Sequence, residues 1–140
     1  MSMELSPRLV VSDPDAAMEF YAQTFGAVQH ERYTDGDDRV VHVGFSIGSQ
    51  PLSLTQCVPE WGLLDPLSLG GSPCLLYIST DEPDEIAARF VAFGGKVLIK
   101  IADRPYGKRE GRVADVSGHL WILSKTIEEL PAEEIHRRLK

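Results

Sequence analysis

The side chains able to do chemistry are few and scattered. His30, His42, His119 and His136 show no HxH, HxxxH or HExxH spacing that would aim two imidazoles at one metal ion. Cys57 and Cys74 have no CxxC spacing and, in a chain expected to be cytoplasmic, read as reduced, packed thiols; Cys57 has no evident base beside it in the sequence to make it a nucleophile. No glycine run matches a phosphate-binding or dinucleotide loop. No catalytic residue is assigned. What remains suits binding. Arg8 carries a guanidinium able to clamp an anionic or carbonyl group, or to pair with an inner carboxylate. Tyr77 offers a ring for stacking and a hydroxyl for hydrogen bonding. His42 shares its strand parity with Gly44 and Ser46, and reads either as a cavity-facing group or as an ordinary polar strand residue. His119, at a turn before Trp121, reads as structural, and His136 as exposed.

The elements that position these residues come in two copies. Asp13-Pro14-Asp15-Ala16-Ala17 is followed 69 residues later by Glu82-Pro83-Asp84-Glu85-Ile86. The same offset places Tyr21 on Phe90, Gly26 on Gly95, Val28 on Val97, Leu52 on Trp121 and Arg8 on Tyr77, relating residues 5–55 to 74–124 without a gap. Each copy opens with an apolar stretch, 8–11 and 75–78. A helix start follows, with Asp13 or Glu82 as the cap and proline as the first helical residue. Ala17, Phe20, Tyr21 and Thr24 share one helix face, as do Ile86, Phe90 and Phe93, and each helix ends at glycine. Strand-like runs follow at 28–33, 40–47 and 51–56, then at 96–101, 112–115 and 119–124. Each copy is therefore read as strand, helix and three strands.

Strand parity divides the faces. One parity, Pro7, Leu9, Val11, Leu52, Leu54, Leu76, Ile78, Trp121 and Leu123, is apolar and expected to bury against a helix. The other, including Ser6, Arg8, Ser53, Thr55, Leu75, Tyr77, Ile122 and Ser124, is mixed and suits a wet cavity wall.

Two βαβββ copies, with Leu9-Val10-Val11-Ser12-Asp13, Phe20-Tyr21, Phe25-Gly26 and Pro51-Leu52-Ser53-Leu54-Thr55, resemble the vicinal oxygen chelate superfamily of glyoxalase I, extradiol dioxygenases and the fosfomycin and bleomycin resistance proteins. The run from Arg104 through Tyr106-Gly107-Lys108-Arg109 to Asp115, then Gly118-His119-Leu120-Trp121, is similar to the WGxRxGxxxDPxGHxW pattern of its PhnB-like branch, with Tyr106 and Val116 as departures. The resemblance implies an α+β fold in which two βαβββ modules form a curved mixed sheet around a cavity. Module one would span 5–56, a linker 57–73 and module two 74–125, all within one domain at 1–125. It also implies a homodimer. Metal-dependent members draw one ligand from the first and fourth strands of each copy. Carried across, those positions are Ser6, Ser53, Leu75 and Ile122, and two hydroxyls and two hydrocarbons do not hold a first-row divalent ion. No metal and no cofactor are expected.

The rest of the chain fits a soluble, cytoplasmic protein. Across 140 residues, 14 Lys and Arg stand against 21 Asp and Glu, a net charge of -7 that argues against nucleic-acid binding. No apolar run suggests a membrane span or signal peptide. Trp61, Leu63, Leu64 and Leu67 make the linker too apolar for a tether and suggest a lid or an interface. Residues 126–140 read as a tail with one short helix, acidic at its start and basic at its end. The expected function is a metal-free small-molecule binding protein of the glyoxalase/bleomycin resistance type. It would sequester an organic ligand among Arg8, His42, Ser53, Trp61, Leu75, Tyr77 and Ile122, a role like that of antibiotic resistance proteins. The alternative is a lyase or dioxygenase-like enzyme with a non-standard or metal-free site.

Overall fold

Asp13 starts the first helix by accepting the Ala16 N–H at 3.0 Å on its side chain. The computed structural model describes residues 2–140. Helix α1 (Pro14–Phe25) ends at Gly26, whose φ of 69° is the left-handed conformation that lets its N–H return to the last turn. The equivalent start at Glu82 works differently. Its side chain makes no capping bond, because a glutamate carries its carboxylate one methylene too far out. Thr80 accepts the Glu82 N–H at 3.1 Å instead. Helix α3 (Pro83–Ala92) stops before Phe93, which is 46% exposed and leaves the face that Ile86 and Phe90 bury.

The chain divides into two compact units. The first comprises the residues up to Ser72 together with Val116–His119, and the second comprises Pro73–Asp115 and Leu120–Lys140. In the first, β1 (Arg8–Val11), β2 (Val28–Thr34), β3 (Val40–Ile47) and β4 (Gln50–Gln56) form a sheet in the order β1-β4-β3-β2. In the second, β5 (Leu75–Ser79), β6 (Lys96–Asp103), β7 (Lys108–Ala114) and β8 (Leu120–Thr126) form one in the order β5-β8-β7-β6. Each sheet has one parallel pair, β1 with β4 and β5 with β8, and antiparallel neighbours otherwise. This is the expected α+β architecture of two βαβββ modules.

The repeat is visible in the register. Leu9 faces Leu54, and Ile78 faces Leu123, both 69 residues later. At the third strand of each copy the correspondence slips by one. Gly44 faces Ser53, whereas Arg112, only 68 residues later, faces Ile122. The ungapped alignment of 5–55 on 74–124 therefore fails at this strand. The cause is the turn: β3 and β4 are joined through Gly48 and Ser49 alone, β7 and β8 through residues 115–119. Strand β7 also begins at Lys108, not Arg112. Its charged start Lys108-Arg109-Glu110 hid a strand that Arg104 closes by donating its N–H to the Lys108 carbonyl at 2.7 Å.

Helix α1 covers one face of its sheet, with Leu9, Val11, Phe20, Tyr21, Val43, Phe45 and Leu54 buried between them. Tyr21 stacks on Phe45 with ring centroids 5.5 Å apart. In the second unit Ile86, Phe90, Val113, Trp121 and Leu123 do the same work. Leu76 and Ile78 are only partly buried, and Pro7 is exposed, so the apolar parity packs less completely there than its composition implies. The linker holds a 3₁₀ turn (Pro59–Trp61) and a short helix α2 (Pro66–Leu69). The tail forms α4 (Ala132–Leu139), tied to its own unit where Arg138 bonds Glu128, Glu134 and the Pro105 carbonyl. No helix among the described residues is long and apolar enough to cross a membrane.

Candidate functional site

In the first unit a β-bulge builds the polar face. Gln29 faces Phe45 and Arg32 faces Val43, so His30 and Glu31 together oppose the single residue Gly44. Both then point to the side of the sheet away from α1. His30 Nε2 meets Ser46 Oγ at 3.0 Å, and Glu31 reaches His42. The Glu31 carboxylate lies where a Cβ at position 44 would stand, so a larger residue there must displace it.

The result is a continuous hydrogen-bonded chain. Arg8 Nε donates to Ser53 Oγ at 3.1 Å, and Arg8 Nη2 lies 3.1 Å from His42 Nδ1. His42 Nε2 lies 3.2 Å from Glu31 Oε1. A guanidinium has only donors, so Nδ1 must accept and the ring proton is assigned to Nε2, which donates to Glu31. Tyr33 stacks on the imidazole with centroids 5.4 Å apart. A backbone N–H, and next to it His42, holds the Glu31 carboxyl below its usual range. Arg8 is exposed and has donors beyond these two bonds.

The second unit carries a different chain on the corresponding face. Tyr77 donates to Ser124 Oγ at 2.8 Å, and Ser124 donates to Glu110 Oε1 at 2.8 Å. Tyr106 donates to the other oxygen, Oε2, at 2.9 Å. Burial, and then the Glu110 carboxylate, push the Tyr106 phenol above its usual range. Tyr77 faces Ile122 across the parallel pair, and both Tyr77 and Leu75 are exposed.

Arg8, Ser53 and His42 are thus brought together in one unit, while Leu75, Tyr77 and Ile122 share a face of the other. Trp61 lies on the linker, 58% exposed, with the Arg39 guanidinium 4.7 Å over its ring. The sequence reading missed Glu31, Tyr33, Glu110, Tyr106 and Ser124's role between them. The inner carboxylate considered for Arg8 exists as Glu31, but His42 stands between the two. His119 is structural, its ring donating to the Val10 carbonyl at 2.8 Å. The two cysteines form no disulfide with each other; Cys57 is partly buried, but Cys74, expected to pack, is exposed because it precedes β5 instead of entering the sheet.

The family's metal does not fit these residues. The Ser53 hydroxyl is already engaged by Arg8, while Leu75 and Ile122 offer only hydrocarbon. Among the described residues, no group of three or more His, Cys, Asp or Glu is arranged to hold an ion.

The model of the glyoxalase/bleomycin resistance protein/dioxygenase superfamily matches residues 5–123, and the chain belongs to that superfamily. An uncharacterized protein of Mycobacterium bovis is 33% identical over 134 residues, covering 94% of this chain and 88% of that one. A Mycobacterium tuberculosis counterpart shows the same identity over 79% of its length. Among solved structures, TioX from Micromonospora sp. ML1 aligns with a TM-score of 0.65 at 22% identity, covering 92% of this chain and 100% of that one. The fosfomycin resistance protein FosX from Listeria monocytogenes, solved with Mn(II) and sulfate, aligns with a TM-score of 0.70 at 18% identity, covering 100% and 99%. At such identities the structural likeness shows the fold.

Proposed function

We propose that the protein binds a small organic molecule without a metal, on the sheet faces opposite the helices, and sequesters it without turnover. The observation that carries this reading is the Ser53–Arg8–His42–Glu31 chain. Its groups are engaged with one another, which fixes their positions and leaves no cluster of lone pairs for an ion, while Arg8 keeps donors for a ligand. Tyr77, Leu75 and Ile122 supply ring and hydrocarbon surface in the second unit. Within the superfamily we place the chain in the PhnB-like branch. Its motif residues have structural duties that support this: Trp121 donates to Asp115 at 2.9 Å, and Gly118 turns with a φ of 88°. The same reading makes the protein a cytoplasmic homodimer with the linker near the interface, since Trp61, Leu67 and Leu69 are 57–60% exposed. Light scattering checks it, and a monomer mass at micromolar concentration contradicts it.

The second reading, a metal-free enzyme of lyase type, draws on one observation. His42 is held in a single tautomer between Arg8 and Glu31, as an acid–base group would be. One experiment separates the two. A library of small organic fragments is screened by amide NMR shifts against chelator-treated protein. Sequestration predicts fragments that shift residues 8–10, 42–46, 53–55, 75–79 and 120–124 and stay chemically unchanged. Conversion of a fragment favours the enzyme, and the absence of any shift on these strands contradicts both.

A further inference from the structure

Three residues lie side by side on the face of the second sheet away from α3. Tyr77 on β5 faces Ile122 on β8, and Ile122 faces Arg112 on β7. On the edge strand β6 Ile99 faces Arg112 in turn. With neighbouring strands about 4.8 Å apart, the ring of Tyr77 and the guanidinium of Arg112 rise from backbone positions roughly 10 Å apart, with an isoleucine between them.

Arg112 lacks the partners that such a charge ordinarily has. It is partly buried, and its Nε is buried without an acceptor among the described residues. Glu110, two residues earlier on the same face, is the nearest acid in sequence, but its oxygens accept from Ser124 and Tyr106. Neighbouring arginines are provided for: Arg109 binds Asp84 and Asp103 on the helix side, and Arg104 donates to the Glu110 backbone carbonyl at 3.1 Å. A guanidinium drawn partly out of water and left without an anion destabilises the fold. An anion supplied from outside the chain would offset that cost.

We propose that Arg112 is the charge-recognition residue of this face, and that its ligand is an amphiphilic organic anion: an aromatic or aliphatic body bearing a carboxylate, sulfonate or phosphonate. The body lies over Ile122 against Tyr77, and the anionic group reaches Arg112. The first unit does not offer this arrangement, since its corresponding position is Gly44, filled by the Glu31 carboxylate. The inference rests on the binding reading above and adds the ligand's charge and shape.

Two fluorescent probes with nearly the same aromatic body test it: anilinonaphthalenesulfonate, which carries the anion, and phenylnaphthylamine, which lacks it. Both are titrated into the folded full chain, into Arg112→Met and into Arg112→Gln. The sulfonate is expected to bind the wild type and to lose at least about tenfold in affinity in both variants, with the neutral dye changing by less than about twofold. Melting temperature is expected to rise in Arg112→Met, because the substitution removes an unpaired charge; a structural arginine would lower it. Unchanged sulfonate affinity in the variants, or an equal loss for both dyes, overturns the inference and leaves the binding reading standing. Failure of both dyes to bind the native protein overturns the two together.

Discussion

The carboxylate of Glu31 occupies the space above Gly44 that any side chain at that position would need. The bulge at His30 and Glu31 and the missing Cβ are therefore one device, and its product is the bond from Glu31 to His42 at 3.2 Å. Gly44 has no positive φ, so alanine meets no backbone penalty there, and the group it displaces is the end of a flexible, half-exposed side chain. Gly44→Ala is expected to cost less than about 1 kcal/mol in unfolding free energy while breaking the His42–Glu31 bond. Nitrogen NMR of the imidazole reads the bond through the Nε2–H signal, and an unaltered signal contradicts the assignment.

Arg8 and Tyr77 stand at positions related by the 69-residue repeat, one on each polar face. A charged hydrogen bond contributes about 1.5–3 kcal/mol, so Arg8→Ala is expected to weaken the fragments that bind the first unit by at least about tenfold. Tyr77→Ala is expected to do the same for those on the second. Melting curves recorded with the isotherms separate lost contact from lost fold. Unchanged affinity in both variants removes these faces as the binding site.

Asp115 and Trp121 are 5% and 2% exposed and share a 2.9 Å hydrogen bond. Asp115→Ala leaves the indole N–H buried without this acceptor, and urea unfolding is expected to show a loss of about 2 kcal/mol. A loss within experimental error would mean that the motif aspartate does not support the tryptophan.

The tail makes its own contribution to the pH profile. Hydrogen bonds first from Arg137 and then from Arg138 lower the Glu134 carboxyl from 4.5 to about 2. A depressed carboxylate adds stability that is complete above its unfolded value and is lost as pH falls through the folded one. Melting temperature should therefore fall less steeply between pH 4.5 and about 2 in Glu134→Gln than in the wild type. Parallel profiles would show that α4 is not held by this group.

The fold was legible because its signals are local and doubled. Asp13-Pro14 and Glu82-Pro83 mark both helix starts, and alternation in 8–11, 52–54 and 121–123 marks the faces. The register of β1 on β4 and of β5 on β8 then follows the repeat. The sites were less legible because they depend on where that repeat breaks. A ligand face was assigned through Arg8, Ser53 and His42, but Glu31 enters it only through a bulge, which alternation does not encode. The one sequence sign of that bulge was a glycine in the middle of a strand, Gly44. Arg112 was hidden because the longer β7–β8 turn shifts its register by one, so an ungapped comparison sets Val113 opposite Gly44. Phe93 misled in the opposite sense: it keeps helical spacing past the last helical residue, Ala92.

The claim on which the account turns is binding without a metal. It is tested most directly by calorimetric titration of a fragment that binds the chelator-treated protein, repeated with excess Mn(II) or Zn(II). The account predicts the same affinity within about twofold under all three conditions. Fragment binding that appears only once metal is added would contradict it.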